Sequence, residues 1–130
     1  PETEVVMPRL KNDLVELFQA VAEQKLDTIK IETDERTVCT VVAVSGGYPG
    51  DYKKGYEIHG LQDINPADSV VYHMGTIIKD GKVVTNGGRV FCVTSYGRSI
   101  YDAVAISKEE IEKITFTGME YRSDIGYEFD

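Results

Sequence analysis

The chain has 130 residues, of which 42% are hydrophobic and 28% are charged, a composition that supports one buried core and excludes a disordered chain. Its formal net charge of −8 argues against extended nucleic-acid binding, which requires basic surface against phosphates. No apolar run is long enough for a membrane span and the first residues carry no signal-peptide pattern, so we expect a cytoplasmic protein with no membrane partner.

An amphipathic helix is predicted near the amino terminus. Its apolar positions recur every three or four residues, at Leu10, Leu14, Leu17 and Val21. This spacing places them on one face of a helix. Pro8 suits the first helical turn and the pattern fades after Lys25, so we predict a helix over residues 8–25. Because the chain begins with Pro1 and lacks an initiator Met, we also expect it to be a piece of a longer polypeptide.

Several strands are predicted in the middle of the chain. The β-branched run over residues 37–44 predicts a buried strand, and residues 69–75 and 89–95 are also strand-like. Asp80 and Gly81 stand between two apolar runs, which is the sequence signal of a hairpin with a type I′ turn.

The second half of the chain predicts one more helix. Apolar or small positions recur from Ser99 onward, at Ile100, Val104, Ser107, Ile111 and Ile114. Ser107 and Glu110 could instead form a capping box that starts a shorter helix, but the unbroken spacing favours one continuous helix. The tail over residues 115–130 could add a short edge strand. The predicted fold is α+β: a small antiparallel sheet, an N-terminal helix and one helix in the C-terminal half.

The two cysteines, Cys39 and Cys92, each lie inside an apolar run. We interpret them as buried free thiols, because free cysteine is among the most buried residue types and nothing indicates an oxidising compartment. Two cysteines and two distant histidines also offer too few ligands for a zinc site, so no metal site is predicted.

Two glycine-rich bends are candidate ligand-binding segments. The first, residues 45–51, contains Gly46, Gly47 and Gly50, and successive backbone N–H groups in such a bend can bind an anion. Taken alone, such a glycine cluster is more often a plain turn. The second, residues 85–90, places Arg89 directly after two glycines, where a guanidinium could bind a phosphate. The alternative for Arg89 is a surface side chain beside a bulged hairpin. A third segment carries Arg122 and Asp124, which we expect to pair with each other.

Four ordered motifs resemble the C-terminal domain of the phosphoribosylamine-glycine ligase family, also called glycinamide ribonucleotide synthetases. The motifs are Gly46-Gly47-Tyr48-Pro49-Gly50-Asp51-Tyr52, His73-Met74-Gly75-Thr76, Lys79-Asp80-Gly81-Lys82-Val83-Val84-Thr85-Asn86-Gly87-Gly88-Arg89-Val90 and Tyr121-Arg122-Ser123-Asp124-Ile125-Gly126. The opening residues and first helix are similar to the end of that family's ATP-grasp domain. The resemblance therefore implies that residues 1–27 close an ATP-grasp domain and residues 28–130 form the C-terminal β-rich domain.

The resemblance also implies a reaction and a site. The family joins glycine to 5-phosphoribosylamine with ATP and Mg, and it forms glycinamide ribonucleotide, ADP and phosphate. Its ATP and metal ligands precede the position of Pro1, so we expect no bound cofactor, no catalytic residue and no activity in this chain alone. Convergence of the two bends would create one wall of the substrate cleft. The expected substrate-binding residues are Arg89, Gly87, Gly88, Tyr48, Pro49, Gly50 and Glu2, with Arg89 and the two glycines facing the ribose phosphate and Glu2 bordering the glycine site.

Two other functions are compatible with a small β-rich domain. One is a carrier or binding module with a modified lysine at a hairpin tip, although Asp80 and Gly81 occupy the predicted tip and the lysines only flank it. The other is the C-terminal domain of a different ATP-grasp carboxylate-amine ligase, which the combination of the two glycine bends disfavours.

Overall fold

A four-stranded antiparallel sheet forms the centre of the molecule in the computed structural model, which describes residues 1–129. Its strands, in the spatial order β2-β5-β1-β6, are β1 (Thr37–Ser45), β2 (Ser69–His73), β5 (Arg89–Gly97) and β6 (Met119–Tyr121). A separate hairpin consists of β3 (Thr76–Lys79) and β4 (Lys82–Thr85). The tail adds β6 at the edge of the sheet, as predicted, and the α+β class with a small antiparallel sheet is confirmed.

Both faces of the sheet are covered. Helix α3 (Ile100–Glu112) packs on one face, where a core of buried side chains includes Val41, Ala43, Phe91, Val93, Ala103 and Ile111. The start of the chain covers the other face: the Thr94 hydroxyl donates to the carbonyl of Glu4 at 2.9 Å, and the Tyr96 hydroxyl donates to the carbonyl of Pro8 at 2.7 Å. Residues 90–95 of the central strand β5 are therefore all buried, and their sequence is apolar or small without alternation.

The N-terminal helix is shorter than predicted. The chain starts with a short helix, α1 (Thr3–Val6), and Met7–Arg9 forms a 3-10 turn, so the prediction that Pro8 opens the long helix is wrong. The long helix, α2 (Leu14–Ala22), begins after Asp13, whose carboxylate accepts hydrogen bonds from the N–H groups of Val15 and Glu16 at 2.8 and 3.1 Å. This capping fixes the start of the helix.

Helix α3 is continuous, which confirms the longer of the two predicted helices. It begins after Ser99, whose side chain accepts from the N–H of Asp102, and Ser107 lies in its interior, where its hydroxyl donates to the carbonyl of Cys39 at 3.0 Å. The alternative capping box at Ser107 is therefore wrong. No helix within residues 1–129 has the length and apolar character needed to cross a membrane.

The predicted hairpin turn and the free thiols are also confirmed. Asp80 and Gly81 have φ values of 52° and 75°, as a type I′ turn requires at both central positions. Cys39 and Cys92 are buried and unpaired with each other, and burial raises the pKa of both thiols. They remain protonated at neutral pH and are poor nucleophiles.

Candidate functional site

The two glycine bends meet at one end of the sheet. Ser45, the last residue of β1, donates from its backbone N–H to the carbonyl of Gly88 and from its hydroxyl to the carbonyl of Gly87, both at 2.8 Å. The N–H of Asn86 donates to the carbonyl of Gly75 at 2.7 Å. Three backbone segments, from the end of β1, the end of β2 and the start of β5, therefore lie in one cluster.

The glycines allow these segments to approach closely. A Cβ atom at Gly88 would lie 2.6 Å from Cε2 of Tyr48, and one at Gly75 would lie 2.8 Å from the Cα of Gly87. Real Cβ atoms do not come this close to other heavy atoms, so any side chain at these positions would displace its neighbour. The ring of Tyr48 therefore rests directly on the Gly88 backbone, and the structure brings together Tyr48, Gly87, Gly88 and the start of β5.

Several hydrogen-bond donors in this cluster have no partner among the residues that the structure describes, 1–129. Among residues 1–129, the N–H groups of Gly87 and Gly88 have no acceptor within hydrogen-bond distance. Arg89 is exposed, and within the same part of the chain its guanidinium contacts no carboxylate and donates no hydrogen bond. Arg36 and Arg122, in contrast, are paired with Asp34 and Asp124. The cluster therefore contains two unpaired amides, in the half-buried Gly87 and the buried Gly88, next to an exposed arginine at the end of the sheet.

The predicted pairing of Arg122 with Asp124 is confirmed. Nε of Arg122 lies 2.7 Å from Oδ1 of Asp124, and this hydrogen bond lowers the pKa of Asp124. Arg122 also lies 4.0 Å from Oε1 of Glu128. Because its guanidinium is held by carboxylates of the tail, Arg122 serves the local structure.

The remaining predicted residues lie apart from the N–H groups of Gly87 and Gly88. Pro49 and Gly50 form the exposed tip of the first bend, beyond Tyr48. Glu2 lies elsewhere: its side chain is 93% exposed, and it borders an apolar cavity of about 280 Å³ that is also lined by Val38, Val104 and Phe129. The structure therefore does not bring Glu2 into contact with the cluster at the glycine bends.

A cleft of about 360 Å³ lies beside the first bend and was not predicted. Its lining consists of Ser45, Gly46, Asp51, Tyr52, Lys53, Tyr56, Thr117 and Gly118. None of the seven predicted residues lines it. The signal that could have indicated this cleft is the polar and aromatic segment over residues 51–56, which directly follows the first glycine bend. Within residues 1–129, no three His, Cys, Asp or Glu side chains cluster as a metal site.

These features define a small α+β domain with two unpaired backbone amides and an exposed arginine at one end of an antiparallel sheet. The family model described as phosphoribosylglycinamide synthetase, C domain, matches residues 38–128. The chain belongs to this family.

Named relatives support the same family. The phosphoribosylamine–glycine ligase of Caldanaerobacter subterraneus is 49% identical over 125 residues, which are 96% of this chain and 30% of that protein. The trifunctional purine biosynthetic protein adenosine-3 of Gallus gallus is 45% identical over 98% of this chain and 13% of that protein. The crystal structure of the phosphoribosylamine–glycine ligase from Thermotoga maritima matches 95% of this chain and 30% of its own, with a TM-score of 0.71 and 32% identity. This chain thus spans less than a third of the ligases it matches.

Proposed function

We propose that this chain acts as the C-terminal part of a ligase that joins glycine to 5-phosphoribosylamine. The products would be glycinamide ribonucleotide, ADP and phosphate. The main support is that the chain matches phosphoribosylamine–glycine ligases over nearly its whole length, at 49% identity to the relative from C. subterraneus. The match to these ligases extends into the residues before 38, whereas the C-domain family model begins at residue 38.

The proposed task of the cluster at the glycine bends is to bind the 5-phosphate of the ribose. A phosphate needs few but well-placed donors, and a guanidinium with adjacent backbone N–H groups is a suitable set. Arg89 has no competing carboxylate among residues 1–129, and the N–H groups of Gly87 and Gly88 lack acceptors there. Tyr48, Pro49 and Gly50 would form the adjoining wall. For Glu2, a position at the border of the glycine site stays a prediction.

We further propose that ATP and Mg²⁺ are bound by the part of the ligase that this chain does not cover. Residues 1–27 would be the end of the ATP-grasp domain and residues 28–130 the C-terminal domain. Two observations support this division: the C-domain family begins at residue 38, and α2 exposes large apolar side chains, with Val15 and Phe18 at 72% and 63%. Such a face is typical of a surface that packs against another part of a protein.

A carrier function has no support at the hairpin tip. Asp80 and Gly81 form the tight turn itself, and Nζ of Lys82 is paired with Oε2 of Glu57 at 2.6 Å. A modified lysine would have to be released from this pair. The ligase remains the function that the chain supports best.

A hybrid enzyme tests the proposal. This chain would replace the matching 125 residues of the C. subterraneus ligase, and Arg89→Ala would be compared with Arg98→Ala, which removes another exposed arginine at the far end of β5. A charged hydrogen bond contributes about 1.5–3 kcal/mol. We therefore expect Arg89→Ala to raise the KM for phosphoribosylamine by about ten- to a hundredfold, with the KM for ATP and the Arg98→Ala kinetics unchanged.

The isolated 130-residue chain completes this experiment. Incubated with ATP, Mg²⁺, glycine and phosphoribosylamine, it should form no ADP above a blank, because the ATP site lies outside it. An unchanged KM in the Arg89→Ala hybrid would remove Arg89 from the phosphate site. ADP formation by the isolated chain would overturn the assignment of the ATP site.

A further inference from the structure

Ser45 links the two glycine bends through all of its polar groups. Its N–H donates to the carbonyl of Gly88 and its hydroxyl donates to the carbonyl of Gly87, each at 2.8 Å. Its own carbonyl accepts from the N–H of Tyr48 at 3.0 Å. The residue is 2% exposed, so water does not compete for these hydrogen bonds. The carbonyl of Ser45 thus binds the first bend at Tyr48, and its N–H and hydroxyl bind the second bend at Gly88 and Gly87.

These bonds determine the direction of the Gly88 N–H. A trans peptide is planar, and its C=O and N–H groups point in opposite directions. Because the carbonyl of Gly87 points at the Ser45 hydroxyl, the N–H of Gly88 in the same peptide points away from Ser45. This N–H has no acceptor among residues 1–129. The Ser45 hydroxyl therefore fixes the direction of an unused donor directly before Arg89, in a residue that is itself buried.

We propose that Ser45 is a positioning residue for a phosphate site formed by the Gly88 N–H and Arg89. The proposal rests on the function proposed above, because it assumes that this cluster binds the sugar phosphate. Ser45 itself would not contact the ligand. Its hydroxyl would hold the orientation of one peptide, so that the N–H does not have to reorient when the anion binds.

The glycine at position 88 explains why such a restraint is needed. Glycine has no Cβ and its backbone is conformationally permissive, so the peptide between Gly87 and Gly88 has little restraint of its own. The ring of Tyr48 covers one side of Gly88, and Ser45 fixes the carbonyls before and after it. Without the hydroxyl, the backbone bond from Ser45 to Gly88 remains but the Gly87 carbonyl loses its partner.

A binding titration on the 130-residue chain tests this role. Amide NMR spectra would be recorded with ribose 5-phosphate, and with inorganic phosphate as a second probe. In the unsubstituted chain we expect the Gly88 amide signal to move on titration, and Arg89→Ala should abolish the shift. Ser45→Ala should raise the Kd for ribose 5-phosphate by about three- to tenfold, the effect of one hydrogen bond. Ser45→Cys keeps most of the volume but has only a weak donor, so it should weaken binding similarly.

Ser107→Ala is the matched control. Ser107 is also buried and its hydroxyl also donates to a backbone carbonyl, that of Cys39 at 3.0 Å, but it lies in α3. Both alanine variants should melt at similar temperatures, and only the Ser45 variants should bind ribose 5-phosphate more weakly. Equal Kd values for the Ser45 and Ser107 variants would overturn the role of Ser45, and the Arg89→Ala result would then test the phosphate site separately. If the Gly88 signal did not shift in the unsubstituted chain, both the phosphate site and the role of Ser45 would be overturned.

Discussion

The contact between Tyr48 and Gly88 makes a side chain at position 88 costly. Gly88 does not have a positive φ, so its glycine is required by space and not by backbone conformation. An added methyl group would overlap the Tyr48 ring, whose Cε2 would lie at 2.6 Å. The glycine pair before Arg89 is therefore a packing requirement as well as a source of amides.

We predict that Gly88→Ala lowers the free energy of unfolding by about 1–3 kcal/mol, the usual cost of an overpacked site. The cost should fall by at least about 1 kcal/mol in a Tyr48→Ala background, because contacting residues show coupled effects. Urea unfolding of the four proteins in this double-mutant cycle measures both values. Gly50→Ala is the control, since its Cβ would meet only the carbonyl of Gly47 at 3.1 Å. Additive effects of the two substitutions would show that the ring is not the obstacle.

At the level of elements, α3 is tied to the loop before β2 by a buried carboxylate. Glu110 is 4% exposed, and it accepts from the N–H of Asn65 at 3.0 Å and from Nζ of Lys113 at 2.8 Å. The sequence offers Glu110 as part of a capping box with Ser107. In the structure it accepts instead from Asn65, 45 residues away, and this hydrogen bond joins two separate parts of the chain.

Glu110→Ala is expected to lower the free energy of unfolding by about 1.5–3 kcal/mol, because the hydrogen bond from the Asn65 N–H to a charged carboxylate is lost. The neighbouring Glu109 is exposed. Glu109→Ala should therefore change the free energy of unfolding by less than about 0.5 kcal/mol. Thermal and urea unfolding of both variants measure the difference. Equal losses of unfolding free energy in the two variants would contradict a stabilising role of the Glu110–Asn65 hydrogen bond.

The elements that the sequence predicts well are those with strong local patterns. The β-branched run of β1, the Asp80-Gly81 turn and the continuous spacing of α3 were all identified correctly because each depends on residues close together in the chain. The helix α2 starts later than predicted because Asp13 caps it, and Leu10, which shares the apolar spacing, lies before the helix. At the candidate site, the two bends were recognised from their glycines. The role of Ser45 was missed because its hydroxyl bonds a residue 42 positions away.

On the scale of the whole molecule, the two long helices differ in how firmly they are attached. Helix α3 buries Ala103 and Ile111 completely against the sheet. Helix α2 packs mainly on the turn at Leu26–Thr28 and leaves Phe18 63% exposed. Because most helical stability comes from packing of the apolar face, a nine-residue helix with this much exposed apolar surface should be weakly held.

Native-state hydrogen exchange should therefore separate the two helices. We expect the amides of α2 to exchange with an opening free energy at least about 2 kcal/mol below that of residues 90–95 in β5, because local opening of α2 leaves the sheet intact. Helix α3 is the internal control, and its amides should approach the protection of β5, since it can open only by exposing the core. If α2 and β5 opened with the same free energy, α2 would be part of the same cooperative unit as the sheet. A domain boundary near residue 27 would then have no energetic basis in this chain, and the apolar face of α2 would need no covering partner for its stability.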